Sequence, residues 1–216
     1  MTAVLWDLDD TLVSTIEARL RALAYAYEQC VGGKVDPRSL LREYGQLSVE
    51  GIGQALLGDD YQQFVDTYQE RYFTAAAPVA PFEGVPAVLE ALLTTGIPMI
   101  AMTSKVSWGA TEELQQTGLL HYFHSVVGYD DTDEHRPEPD PVLEALDRLM
   151  IEEPESMFVV GDSAADVQAA REAGCQSIGA LWGSMELDHL QQAKPDFVAY
   201  EPVDVLRIVK EGLEAA

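Results

Sequence analysis

At 216 residues with 47% apolar side chains, the chain is long enough for one ordinary domain with or without an insertion, and too apolar to be a disordered polymer. Thirteen basic against 37 acidic residues leave a net charge of −24, a surface that repels nucleic acid and anionic lipid at long range. No apolar run nears the roughly 20 residues a bilayer-spanning helix needs, and Asp7 breaks the N-terminus before a secretory leader forms. Cys30 and Cys175 have no metal-type spacing and read as small buried thiols of a reducing compartment. The expectation is a cytoplasmic protein that binds neither nucleic acid nor membrane; nothing in the pattern specifies an oligomeric state.

Val4-Leu5-Trp6 runs straight into Asp7-Leu8-Asp9-Asp10-Thr11-Leu12. The apolar run predicts a short strand buried on both faces, with Asp7 and Asp9 at its carboxyl end. Taken alone, the acidic stretch could simply cap the next helix. Ser14–Val31 is a predicted helix that Gly32-Gly33 ends. Residues 34–80 stay helical, with breaks at Gly45, Gly51, Gly53 and Gly58, and residues 75–81 read as a linker. Such a block is too long for a simple crossover, and a long structureless loop is disfavoured. An inserted helical subdomain over residues 14–80 is therefore expected, with 1–13 and 81–216 forming an α/β core.

From Gly84 the rhythm alternates. Helices are predicted over Val85–Thr95, Trp108–Thr117, Asp140–Met150, Ala164–Ala173 and Val203–Leu213. Strands are predicted over Ile97–Met102, Ser125–Gly128, Met157–Val160, Gln176–Ala180 and Phe197–Ala199. Repeated βα units imply a Rossmann-like three-layer core, a parallel sheet covered by helices on both faces.

Polar residues gather after four of these strands: Asp7 and Asp9; Thr103, Ser104 and Lys105; Arg136-Pro137-Glu138-Pro139; and Asp162, Ser163 and Asp166. In a parallel sheet all four loops lie along one edge and converge on one crevice. The residue types suit phosphoryl transfer. One carboxylate can attack phosphorus, and a second two residues on, alternating to the same side of an extended backbone, can pass a proton. Hydroxyls and helix-start amides can hold phosphate oxygens. Crowded carboxylates call for a hard cation such as Mg²⁺, and Asp162 and Asp166, four apart, would share a face as a helix begins.

Asp7-Leu8-Asp9-Asp10-Thr11, Thr103-Ser104-Lys105, Arg136-Pro137-Glu138-Pro139-Asp140 and Gly161-Asp162-Ser163-Ala164-Ala165-Asp166 resemble the four ordered motifs of the haloacid dehalogenase-like (HAD) superfamily. Ala180-Leu181-Trp182-Gly183 followed by Pro195-Asp196-Phe197-Val198 is similar to its phosphoglycolate phosphatase-like branch. The resemblance implies a Mg²⁺-dependent phosphatase that hydrolyses a small phosphorylated metabolite through an aspartyl-phosphate. Asp7 would be the nucleophile and a metal ligand, and Asp9 the general acid/base with its backbone carbonyl on the metal. Thr11, Thr103, Ser104 and Lys105 would bind substrate, Asp162 would ligate Mg²⁺ and Asp166 would support it. The helical insertion would be the family's small cap, in which Arg42, Tyr44, Gly45 and Gln46 resemble a loop that reads the leaving group; a helix-ending Gly45 explains the same residues.

One position departs from the family, which carries Lys where this chain has Arg136. Arg136 could bridge Asp7 and the phosphate, or Lys105 could take over that duty. Carbon–halogen displacement in the family does without the second Asp, so Asp9 favours phosphoryl transfer over dehalogenation. A sugar phosphomutase of the same superfamily and a non-catalytic binding protein on the fold remain the alternatives. His121, His124, His135 and His189 have no metal spacing, Trp108 and Trp182 read as core or loop packing, and Trp6 as core.

Overall fold

The computed structural model describes residues 2–44, 47–74, 79–184 and 187–215. The chain falls into two compact units, residues 1–14 with 80–216 and residues 15–79.

The first unit is an α/β layer structure. Strand β1, Val4–Asp7, is buried at every position, as its apolar sequence requires. Two-residue β2, Val13–Ser14, follows. The second unit supplies α1, Ile16–Cys30, α2, Pro37–Tyr44, α3, Val49–Leu57, and α4, Tyr61–Thr74. Its core joins Leu20, Leu23 and Ala26 of α1 to Ile52, Phe64 and Tyr68. The chain returns through β3, Ala80–Pro81, which pairs antiparallel with β2. There follow α5, Val85–Thr94, β4, Met99–Met102, α6, Ser107–Gln116, β5, Ser125–Val127, and α7, Asp140–Arg148. The last elements are β6, Phe158–Gly161, α8, Ala164–Glu172, β7, Gln176–Ala180, α9, Leu187–Gln192, β8, Phe197–Ala199, and α10, Pro202–Ala215.

Six strands form one sheet in the order β5-β4-β1-β6-β7-β8, with every ladder parallel. β1 lies inside it, with Trp6 opposite Ala101 of β4 and Val160 of β6. Alternation sends Leu5, Ile100, Met102, Val127 and Val159 into a core with Val142 and Leu146 of α7 and Ala169 and Ala170 of α8. α5 and α10 are also buried in part through Val85, Leu89 and Leu92 and through Val205, Ile208 and Val209. A side chain at Gly212 would meet the Phe158 ring at 2.7 Å, so α10 lies directly on β6. Each site-bearing loop leaves the carboxyl end of β1, β4, β5 or β6, which places the loops along one edge of the sheet.

Several expectations are adjusted. α9, in a stretch for which no element was predicted, is a short helix whose Leu190 is fully buried. Trp6 is core, but Trp108, expected as packing, is 59% exposed at the start of α6. Gly45, Gln46 and most of the predicted linker lie outside the described residues. Both cysteines are free, and burial pushes the Cys175 thiol up to about 12. Among the described residues no helix is long and apolar enough to cross a membrane.

Candidate active site

The β1 strand ends at Asp7, and the chain then folds back sharply. The Leu8 amide still donates to Met102, at 3.1 Å, and the Leu12 and Val13 amides both donate to the Leu8 carbonyl, at 3.0 and 3.1 Å. Asp10 sits in the left-handed region at φ 61°, and its amide donates to Val13 at 2.7 Å. This non-glycine left-handed residue is a local strain held by its surroundings. The turn is packed from above by the loop after β7. Gly183 lies against the Asp10 carbonyl with no room for a Cβ, and the Trp182 indole donates to the Thr11 carbonyl at 2.9 Å. Asp9 therefore does not ride on a continued strand, as simple alternation suggests. The turn carries it towards the β4 loop instead.

There Thr103, held by a 2.9 Å bond from its amide to Val127, points its hydroxyl at Asp9 Oδ2, 3.5 Å away. The Lys105 amide donates to the Thr103 hydroxyl at 3.2 Å, closing the loop on itself. Lys105 Nζ lies 2.8 Å from Asp9 Oδ1 and 2.6 Å from Glu113 Oε1. Asp9 thus faces a hydroxyl on one oxygen and an ammonium on the other.

Asp7 has a different neighbour. Arg136, buried to 10% side-chain exposure, donates from Nη1 to Asp7 Oδ1 at 2.7 Å and to Asp166 Oδ1, and from Nη2 to the exposed Ser104 hydroxyl at 3.3 Å. Its planar fork reaches three partners that a point-like ammonium could not span. Burial pulls the Arg136 pKa down, but Asp166 and Asp7 outweigh that and leave it above its ordinary value. Burial drives the Asp7 carboxyl up to about 7; Asp166 and Asp9 add to the rise, and Arg136 opposes it.

The fourth loop leaves β6 at Gly161, whose missing side chain makes room for the Asp166 carboxylate. Ser163 is the N-cap of α8 and Asp166 its third residue. The two form a reciprocal capping box: Asp166 Oδ2 accepts from the Ser163 amide at 3.1 Å and hydroxyl at 2.6 Å, and the Asp166 amide donates to the Ser163 hydroxyl at 3.3 Å. Asp162 precedes the helix, so it meets Asp166 across the strand–helix junction rather than along a helix face. The Thr11 hydroxyl donates to Asp162 Oδ1 at 3.3 Å.

Asp7, Asp162 and Asp166 each offer a carboxylate oxygen, and these oxygens lie within 4.8 Å of one another. If ionised, Asp7, Asp9, Glu113, Asp162 and Asp166 outnumber the cationic Arg136 and Lys105 by three charges. An all-oxygen donor set, a net negative charge and a carboxyl pushed up to about 7 by burial and like charge all fit a hard divalent cation.

The family model described as haloacid dehalogenase-like hydrolase matches residues 4–180. The chain belongs to this family. Curated relatives include a phosphoglycolate phosphatase of Aquifex aeolicus, 28% identical over 97% of this chain and 97% of that protein. A pyrophosphatase PpaX of Halalkalibacterium halodurans is 26% identical over 97% of each. A solved haloacid dehalogenase-like hydrolase of Streptococcus pneumoniae superposes with a TM-score of 0.82 at 25% identity, covering 96% of this chain and 98% of that one.

For this member of the haloacid dehalogenase-like family, every residue singled out from the core motifs comes to the one sheet edge. Asp7, Arg136, Asp166 and Ser104 form one group; Asp9, Thr103 and Lys105 form another; Asp162 is tied to Thr11. Two contributors escaped the sequence reading. Glu113 looks like any polar helix residue in Thr111-Glu112-Glu113-Leu114, yet it is 5% exposed. Trp182, read as core or loop packing, does pack in its loop, and its indole donor also fastens the Asp9–Thr11 turn, which the sequence did not indicate.

Proposed function

We propose that the chain is a Mg²⁺-dependent phosphatase acting on a small, compact phosphomonoester through an aspartyl-phosphate on Asp7. The observation that carries this reading is the meeting of Asp7, Asp9, Thr103, Lys105, Arg136, Asp162 and Asp166 at one edge of the sheet. Relatives named for phosphoglycolate and pyrophosphate support a substrate of that size and charge.

Arg136 and Lys105, with the Thr103 and Ser104 hydroxyls, attract and orient the phosphoryl group; Thr11, expected to bind substrate, is instead fully buried with its hydroxyl on Asp162, which it orients. Asp7, in its ionised form beside Arg136, attacks phosphorus and forms the acyl phosphate. Asp9 gives its proton to the departing oxygen and then takes one from the water that opens the acyl phosphate, returning Asp7 and releasing phosphate. Asp7, Asp162 and the Asp9 backbone carbonyl would hold Mg²⁺, with Asp166 in support. When bound, the ion neutralises charge on the transferring group. The inserted unit, residues 15–79, is assigned as the lid that reads the leaving group and excludes water.

The test is release of inorganic phosphate from a panel containing 2-phosphoglycolate, pyrophosphate and sugar phosphates, in Mg²⁺ and in EDTA. Mg²⁺-dependent release from a monoester supports the reading. A sugar 1-phosphate returned as its isomer without free phosphate would replace it with a mutase.

A further inference from the structure

One buried charge at the site has no part in the proposed steps. Helix α6 buries Gly109, Ala110, Leu114 and, among them, Glu113. A carboxylate on the apolar face of a helix is costly unless a charge partners it, and an apolar residue there would usually stabilise the helix as well or better. The partner is Lys105 Nζ at 2.6 Å, and the same ammonium lies 2.8 Å from Asp9. Side-chain exposure is 7% for Glu113, 21% for Lys105 and 18% for Asp9, so the three charges form one largely enclosed row.

Lysine carries its charge on a flexible four-carbon stem with three rotatable donors. Left alone, Lys105 would sample many positions. Glu113 sits on a packed helix and engages the ammonium from behind, which leaves its other donors directed at Asp9. We propose that Glu113 is a positioning residue of the reaction: it fixes Lys105, and through Lys105 it sets the orientation of the Asp9 carboxyl. This rests on the phosphatase reading, in which Asp9 moves the proton. A role confined to folding would leave turnover per folded molecule unchanged.

The experiment compares Glu113→Leu, Glu113→Gln, Lys105→Met and the double variant Lys105→Met/Glu113→Leu, using a phosphomonoester that the wild type hydrolyses. Glu113→Leu should lower kcat about tenfold, a modest share of what proton transfer contributes. KM should move less than about twofold, because the loss falls on the proton-transfer step. Glu113→Gln, which keeps an acceptor oxygen for Lys105, should recover part of kcat. In the Lys105→Met background, Glu113→Leu should change kcat less than about twofold, because the pair acts as one unit. Wild-type kcat in folded Glu113→Leu, or multiplicative effects in the double variant, overturns the proposal.

A second readout needs no turnover. Acylation of the four lysines, Lys34, Lys105, Lys194 and Lys210, is followed by peptide mass spectrometry. Glu113→Gln should speed labelling of Lys105 several-fold and leave the other three unchanged; unchanged Lys105 labelling also overturns the proposal. If the wild type releases phosphate from no monoester, the phosphatase reading fails on its own, and the labelling arm still decides whether Glu113 holds Lys105.

Discussion

Asp7 and Asp9 stand two residues apart in sequence, yet each has its own cation. Asp7 faces Arg136, whose guanidinium also holds Asp166 and Ser104. Asp9 faces Lys105, whose ammonium also holds Glu113. The sharp turn through left-handed Asp10 lets the two carboxyls look towards different loops. In the proposed reaction, the nucleophile lies beside a fork that never deprotonates, and the group assigned to proton transfer lies beside a compact ammonium and a hydroxyl. Arg136, where the resembled motif carries lysine, thus reaches Asp7 itself, while Lys105 is engaged by Asp9 and Glu113.

The most damaging change should be Asp7→Asn. It removes the proposed nucleophile, so kcat should drop by about 10⁴ or more in a protein that still melts cooperatively. Activity within tenfold of wild type would end the assignment of Asp7.

Next comes the fork. Arg136→Met leaves buried Asp7 and Asp166 without their cation, at a cost of about 3–5 kcal/mol in stability, with a lowered Tm and turnover reduced about 10³-fold. Arg136→Lys keeps the charge and loses the three-way reach, so kcat/KM should fall about tenfold. A Lys variant equal to wild type would show that charge alone matters on the Asp7 side.

Lys105→Met should be milder, about 10²-fold in kcat, because Thr103 still addresses Asp9. If its loss equals that of Arg136→Met, the two sides are not distinct.

The smallest effect is a pH slope. Burial first, then Asp166 and Asp9, raise the Asp7 carboxyl from 3.8 to about 7, against the pull of Arg136. In EDTA the folded protein therefore keeps a proton that the unfolded chain has released. The stability this contributes is complete below about pH 3.8 and is lost as pH rises through about 7. Tm in EDTA should fall across that window more steeply for wild type than for Asp7→Asn, and Mg²⁺ should flatten the wild-type curve. Parallel curves for the two proteins would remove Asp7 as the source.

The sheet was legible because its strands are continuous apolar runs: Gln176–Ala180 and Phe197–Ala199 have the predicted bounds, and Met99–Met102 lies within its predicted run. Dense motifs made the carboxylates legible in the same way. What stayed hidden depends on contacts far apart in sequence. The Arg136–Asp7 contact was expected only through the family resemblance, while nothing near Arg136 encodes its second bond, to Asp166 30 residues later, and nothing near Trp182 encodes a bond to a carbonyl 171 residues earlier. Glu113 was invisible because a buried acid and a solvated one look alike in a helix pattern. Two-residue β2 and β3 are too short to leave a period.

That slight pairing has a larger outcome. Ser14 lies opposite Ala80, so the polypeptide departs from the α/β unit and rejoins it at a single seam. Closing a loop costs only about 0.6 kcal/mol more for each doubling of its length. Whatever the seam carries can be swapped, lengthened or trimmed as a cassette, while the registers that aim the carboxylates stay untouched. If the inserted unit reads the leaving group as proposed, substrate preference can drift without the reaction chemistry having to be reinvented.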